Sequence, residues 1–282
     1  MQKHLLSFGH GYSAQALARR LLPLGWKISG TTRDKDKAAK LRDTSIEPFL
    51  WGDSGIEDAF ATTTAILIST GPTEYGDPVL LHYRTLLKKY AKNLKWAGYL
   101  STTGVYGDFD GQWVDEDTTL NPQTKRGQLR LSAEQDWQSV PDLPLHIFRL
   151  AGIYGPGRGP FSKVRSGTAR RIIKKGQVFS RTHVEDIAQV LLASITTPNP
   201  GRIYNVCDND PAPPQDVISY AAELLGLPLP PVVNFEDSGF STMARSFYAE
   251  NKKVLNTRIK SELGVTLLYP NYKAGLTAML QE

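Results

Sequence analysis

Two glycines one residue apart, set between an apolar run and a helical pattern, restrict this chain more than any other stretch. Leu5-Leu6-Ser7-Phe8 reads as a strand, and Gly9-His10-Gly11-Tyr12-Ser13-Ala14 follows as a turn that opens a helix. Gly9 allows the tight turn, Gly11 lets the backbone come close to a bound phosphate, and small Ala14 lets the helix pack against the strand. The helix then presents unpaired N–H groups to the anion. The arrangement is a cradle for a dinucleotide pyrophosphate, with Gly9, Gly11, Tyr12, Ser13 and Ala14 as its contacts.

Spacing supports the helix. Ala14, Leu17, Ala18, Leu21 and Leu22 recur at the interval of one buried face, Gln15, Arg19 and Arg20 point away, and Pro23 and Gly25 end it. A second strand at 26–32 follows roughly twenty residues after the turn, where this fold places the residue that meets the adenosine ribose. An NAD site usually puts Asp or Glu there, whereas this chain offers Thr31, Thr32 and Arg33. An arginine fork suits a 2′-phosphate, so Thr32 and Arg33 are cofactor candidates and NADP(H) is favoured over NAD(H). Two alternatives stand beside this: Arg33 as the start of a solvated stretch at 33–37, and Asp34 as acceptor for a ribose hydroxyl.

Forty per cent hydrophobic residues in 282 are ample for a sizeable core of one large or two modest domains. The net charge of +5 is mild and the basic residues are scattered without interleaved aromatics, which argues against nucleic acid and for a small-molecule, anionic partner. The apolar start is too short for a signal peptide and no run approaches membrane-spanning length, so a cytoplasmic protein away from membranes is expected. The single cysteine, Cys207, lies in a strand-like run and reads as a small core residue, and the five histidines lack paired ligand spacing. No metal is expected.

Strands and helices alternate through the first half, the mark of a parallel sheet covered on both faces. Strands are expected at 48–51, 65–70, 97–100, 145–150 and 203–207, and helices at 36–43, 80–94, 127–140, 184–196, 214–225 and 254–263. The fold class is α/β, a doubly wound parallel sheet with a smaller, partly interleaved C-terminal lobe. Residues 1–155 form the dinucleotide core, with 182–207 returning to it, while 156–181 and 208–282 form the substrate-side lobe.

Six motifs in order resemble the NAD-dependent epimerase/dehydratase family, the extended branch of the short-chain dehydrogenase/reductase superfamily. They are residues 9–14, Gly52-Asp53, the S-[ST]-x-x-V-Y-G segment at 101–107, R-x-x-x-[VI]-Y-G-P-G at 149–157, H-V-x-D-[IL]-A at 183–188, and Tyr204-Asn205-Val206. The resemblance implies an NAD(P)-binding Rossmann fold, with Asp53 at the adenine and Ser69 and Thr70 beside the cofactor. It also implies a homodimer through helices 79–95 and 126–140. It puts Thr102 where the family has the Ser or Thr that holds the substrate oxygen. The family's tyrosine and lysine, which pass the proton and bind the nicotinamide ribose, correspond to Arg126 and Arg130.

The tyrosine is therefore missing. Arginine stays protonated and cannot act as acid and base, though Arg126 could clamp an anion and Arg130 could keep the ribose and electrostatic role. Tyr106 and Tyr154 are the nearest other proton donors. A further departure is Phe179, where family members that use sugar nucleotides carry a diphosphate-binding arginine; Arg181 is displaced by two. Two readings remain: an NAD(P)-dependent oxidoreductase or epimerase/dehydratase-like protein with rearranged acid/base chemistry, or a non-catalytic NADP(H)-binding sensor or regulatory module.

Overall fold

In the computed structural model, which describes residues 2–281, the strands are β1 His4–Phe8, β2 Lys27–Thr32, β3 Glu47–Leu50, β4 Ala65–Ile68, β5 Trp96–Thr102, β6 Trp113–Val114, β7 Leu145–Leu150, β8 Gly152–Tyr154, β9 Arg171–Ile173, β10 Arg181–His183, β11 Ile203–Val206, β12 Val232–Asn234 and β13 Lys253–Val254. The helices are α1 Tyr12–Leu21, α2 Lys35–Arg42, α3 Ile56–Thr62, α4 Pro78–Tyr90, α5 Lys125–Gln138, α6 Phe161–Arg165, α7 Val184–Thr196, α8 Pro214–Leu224, α9 Thr242–Phe247, α10 Thr257–Ser261 and α11 Tyr272–Gln281.

Seven strands pair in parallel in the order β11-β7-β5-β4-β1-β2-β3. Strand order runs outward in both directions from β1 and β4. Connections leave to opposite sides there, and this opens a crevice at the strands' C-terminal ends, the place where such sheets bind ligands.

Side-chain alternation along each strand builds a core on each face. Leu5, Leu67, Trp96 and Leu100 pack with Leu17 and Leu21 of α1 and Ile187 and Leu191 of α7. Leu6, Ile66, Ile68 and Tyr99 pack on the other face with Phe60, Tyr83, Leu87 and Trp137 from α3, α4 and α5. The Trp96 indole N–H donates to Ser194 Oγ at 3.0 Å, which satisfies the one polar atom of this buried ring.

The smaller lobe has its own apolar cluster, built from Tyr154, Phe161 and Val164 together with Val217, Ala221, Tyr272 and Leu276. Within 208–282, however, α10 leaves that lobe. Ile259 and Val265 join the first core instead. The expected helix at 254–263 is also shorter, because Lys253 and Val254 are drawn into a parallel pairing with Trp113 and Val114. Asn251 O accepts from Phe109 N at 3.0 Å and Gly111 N at 2.9 Å, so the C-terminal segment is stitched to the loop after β5. Helices α3, α6, α9 and α11 lie outside the expected set; α11 buries only Tyr272, Gly275 and Leu276, too narrow a face for a clear period.

Candidate active site

The glycine turn sits at the crevice between β1 and β4, fastened on several sides. Gly9 has φ +76°, and a Cβ there would lie 2.9 Å from Thr70 Cγ2, so both turn and space require glycine. Thr31 Oγ1 accepts from Gly9 N at 2.8 Å, Thr31 O accepts from His10 N at 2.8 Å, and the Ser69 hydroxyl donates to Gly9 O. His10 is fully buried with Nδ1 2.5 Å from Ser7 Oγ, and burial lowers its pKa to about 4, so the ring is neutral.

Whether a dinucleotide fits is decided at the start of α1. Gly11 gives this helix no side-chain cap, and no acidic residue lies in the first turn, so the positive end of the helix is not neutralised by its own side chains. A Cβ at Gly11 would meet only Gly9 O, at 3.6 Å. Beyond it lies open space, lined by Gly11, Tyr12 and Ser13, of the kind a pyrophosphate needs. The residues present therefore suit the group.

That space belongs to a cavity of about 670 Å³, at the C-terminal ends of β5 and β7 and roofed by the smaller lobe. Thr102, Arg126, Arg130 and Tyr154 all line it, as do Arg158, Arg181, Phe247, Glu250 and Lys252. Thr102 begins a short turn after β5, and its Oγ1 accepts from Gly104 N at 3.2 Å, so the hydroxyl proton is left to point elsewhere. Arg130 rises from α5 over the Tyr99 ring. Its NH1 group donates to Leu100 O at 3.0 Å, Tyr99 OH at 2.9 Å and Thr70 O at 3.3 Å, which locks the side chain across the strand ends. Arg126, in the first turn of α5, stacks over Phe247 at 5.3 Å.

Tyr106 is corrected from candidate donor to buried support. It is fully buried and absent from the cavity lining; its hydroxyl donates to Asn205 Oδ1 at 2.8 Å and accepts from Arg149 at 3.1 Å, and burial pushes its pKa up to about 12. Arg149 in turn holds Glu134 in a two-point ion pair, Nε to Oε1 at 3.2 Å and NH2 to Oε2 at 2.8 Å, with the Ser101 hydroxyl donating to the same carboxylate. This network sits beneath Thr102 and ties β5, β7, β11 and α5 together. Tyr154 reaches the cavity wall, but its hydroxyl lies where a Cβ of Gly275 would be, directed toward Asn271 O at 3.4 Å under α11. Burial raises its pKa, which disfavours the tyrosinate.

Thr32, Arg33 and Asp53 stand apart from that cavity, at the ends of β2 and β3. Thr32 is buried and its Oγ1 accepts from Asp34 N at 3.2 Å, whereas Arg33 is exposed. Asp34 Oδ1 caps α2, accepting from Asp36 N at 2.9 Å and Lys37 N at 3.1 Å, so part of the alternative ribose ligand is already engaged. Asp53 Oδ1 accepts from Gly55 N at 2.9 Å within its own turn. Ala14 and Thr70 lie beneath the turn as packing; Thr70 meets Gly9.

Several cavity residues lie outside the motifs that the sequence displays. Arg158 directly follows the Y-G-P-G segment and stacks over Tyr12 at 6.0 Å, a position that its proximity to that motif could have flagged. Glu250 and Lys252, paired at 2.7 Å, come from a polar stretch without any recognisable pattern. Cys207 is buried, and burial pushes its thiol well up. Among the described residues no helix is long and apolar enough to cross a membrane, and no His, Cys, Asp and Glu group could hold a metal ion.

No family model matches the chain. Protein YeeZ of Escherichia coli (strain K12) is 31% identical over 284 residues, spanning 95% of this chain and 97% of that protein. A functionally unknown conserved protein from Silicibacter pomeroyi DSS is 59% identical, with a TM-score of 0.96 over 99% of each chain. A Methylobacillus flagellatus structure, provisionally assigned as an NAD-dependent epimerase/dehydratase, is 26% identical with a TM-score of 0.70 over 99% of this chain and 98% of that one. The human epimerase family protein SDR39U1 (isoform 2), solved with NADPH, shares the fold at 16% identity, with a TM-score of 0.77 over 99% of each chain.

Proposed function

The chain belongs with protein YeeZ of Escherichia coli, and we propose that it is an NADP(H)-dependent oxidoreductase or epimerase/dehydratase-like enzyme of the extended short-chain dehydrogenase/reductase type, acting on a small anionic substrate. The observation that carries this is one cavity joining the uncapped α1 amides to Thr102, Arg126 and Arg130. Gly11, Tyr12 and Ser13 would hold the pyrophosphate, and Arg130, already braced on strand-end carbonyls, would meet the nicotinamide ribose. When bound, the nicotinamide supplies or takes a hydride. Thr102 would then hold the substrate oxygen, and Arg126 would orient an anionic group without moving a proton.

Loss of NADPH absorbance across a panel of small carbonyl compounds tests turnover. Any rate on generic carbonyls should be slow, since general acid/base help is typically worth about 10²–10⁴. The double variant Arg126→Tyr/Arg130→Lys should lower kcat/KM on the best substrate if Arg126 is a working clamp. A rise would identify a lapsed reductase and favour the binding-module reading, whose support is the missing tyrosine. A rate untouched by that change and by Thr102→Val would move the catalytic site elsewhere.

Cofactor choice has its own test. Arg33 is exposed at the end of β2, and a charge-assisted hydrogen bond contributes about 1.5–3 kcal/mol. Arg33→Ala is expected to weaken NADPH by about ten- to a hundredfold in fluorescence titration and to leave NADH nearly unchanged. Equal losses for both would show that Arg33 does not read the 2′-phosphate.

A further inference from the structure

The cavity is strongly unbalanced in charge. Arg126, Arg130, Arg158, Arg181 and Lys252 line it against a single carboxylate, Glu250. Three of the five cations are already engaged. Lys252 pairs with Glu250 at 2.7 Å, Arg181 donates to Phe179 O at 2.7 Å and Ala212 O at 2.9 Å, and Arg130 is committed to the strand-end carbonyls.

Arg126 and Arg158 differ. Each lies over an aromatic ring, Phe247 and Tyr12 respectively, and neither joins an ion pair among the described residues. Elsewhere Arg19, Arg20, Arg149, Arg202 and Arg258 each meet a carboxylate. A guanidinium placed over an aromatic ring keeps its N–H groups for a planar, two-point acceptor.

The placement of Arg126 also works against the helix that carries it. The first turn of α5 holds Lys125 and Arg126 and no acidic residue, although the positive end of a helix favours anions. Desolvation, Arg130 and Arg158 push the Arg126 guanidinium below its ordinary pKa, with Glu250 opposing them and the exposure of the residue moderating the effect. An anion held between the two guanidinium groups would relieve this repulsion.

We propose that Arg126 and Arg158 form a receptor for a doubly charged head group, a phosphate monoester or a dicarboxylate, on the small substrate of this site. The inference rests on the dinucleotide reading above and adds the substrate class. Two guanidinium groups with their helix end match a dianion better than a single carboxylate. Size agrees as well: pockets of roughly 300–1,000 Å³ hold one drug-sized ligand, and a cavity of about 670 Å³ shared with a nicotinamide leaves room for a small molecule and not for a second nucleotide.

Isothermal titration at low salt, above the second phosphate ionisation near pH 6, tests the receptor with glycerol 3-phosphate, malonate and neutral glycerol. Each is titrated into the protein alone and into protein saturated with NADP⁺. At least one dianion should bind and glycerol should not, with the preferred dianion naming the head group. Arg126→Gln and Arg158→Gln should each weaken that dianion by about ten- to a hundredfold. NADP⁺ should leave the binding in place. Equal binding of glycerol, unchanged affinity in either variant, or full displacement by NADP⁺ overturns the proposal, the last because the arginines would then serve the cofactor's own phosphates. NADP⁺ binding with no dianion binding sinks the receptor alone. Failure of NADP⁺ itself to bind sinks the dinucleotide reading and the receptor with it. Should a variant not fold, the contrast between glycerol and its phosphate and the NADP⁺ competition on the wild-type protein decide the matter.

Discussion

Gly11→Val is expected to abolish dinucleotide binding in a protein that stays folded. The backbone at Gly11 has φ −100° and ψ −157°, extended geometry that valine adopts without strain, and a Cβ there meets only Gly9 O at 3.6 Å. The branched side chain instead fills the space above the first α1 amides. A ligand displaced by a few ångströms loses the amide hydrogen bonds together, each worth about 1.5–3 kcal/mol for a charged acceptor, so affinity should fall by more than about a thousandfold. Fluorescence titration with NADPH measures the loss, and circular dichroism and an unchanged urea midpoint show that the fold persists. Tight NADPH binding by the folded variant would place the cofactor elsewhere.

The second large effect lies under the site. Arg149→Leu leaves the Glu134 carboxylate without its cation at a side-chain exposure of 2%, and a buried pair broken on one side typically costs about 3–5 kcal/mol. The variant should lose stability on that scale in urea unfolding. Replacing both partners by leucine should recover much of it, because the stranded charge goes with its partner. A loss below about 1 kcal/mol in the single variant would mean that the pair is hydrated in solution.

How much of this is legible in the sequence depends on whether the information is local. The period of Ala14, Leu17, Ala18 and Leu21 specifies the buried face of α1, and β7 and α7 fall on their expected bounds, because Leu145, Ile147, Phe148 and Leu150 mark the strand and Ile187, Val190 and Leu191 mark the helix. The crevice position is legible as well, since a glycine turn after the first strand of an alternating chain lands beside the reversal of strand order. The cavity's charges are another matter. Arg126 stands out through its alignment, but Arg158 acquires its role only by stacking on Tyr12, more than a hundred residues away in the chain. Tyr106 departs from its expected role for a related reason: the partners that bury it, Arg149 and Asn205, lie 43 and 99 residues on. Helix α11 escapes because Gly275 is required by the Tyr154 ring, a contact across most of the second half of the chain.

The return of α10 to the larger core governs how the protein assembles. Ile259 and Val265 complete the packing against α7 and β11, Glu262 pairs with Arg202 and accepts from Tyr204 OH at 3.3 Å, and Arg258 reaches Asp117 at 2.6 Å. The dinucleotide half therefore lacks part of its interior until the last quarter of the chain has left the ribosome. Closing loops of such length costs only slowly growing entropy, but contacts so distant in sequence form late and slow the search. A chain cut before α10 would leave the cluster that holds Leu191 and Ile195 without Ile259 and Val265, so the two lobes are expected to unfold together.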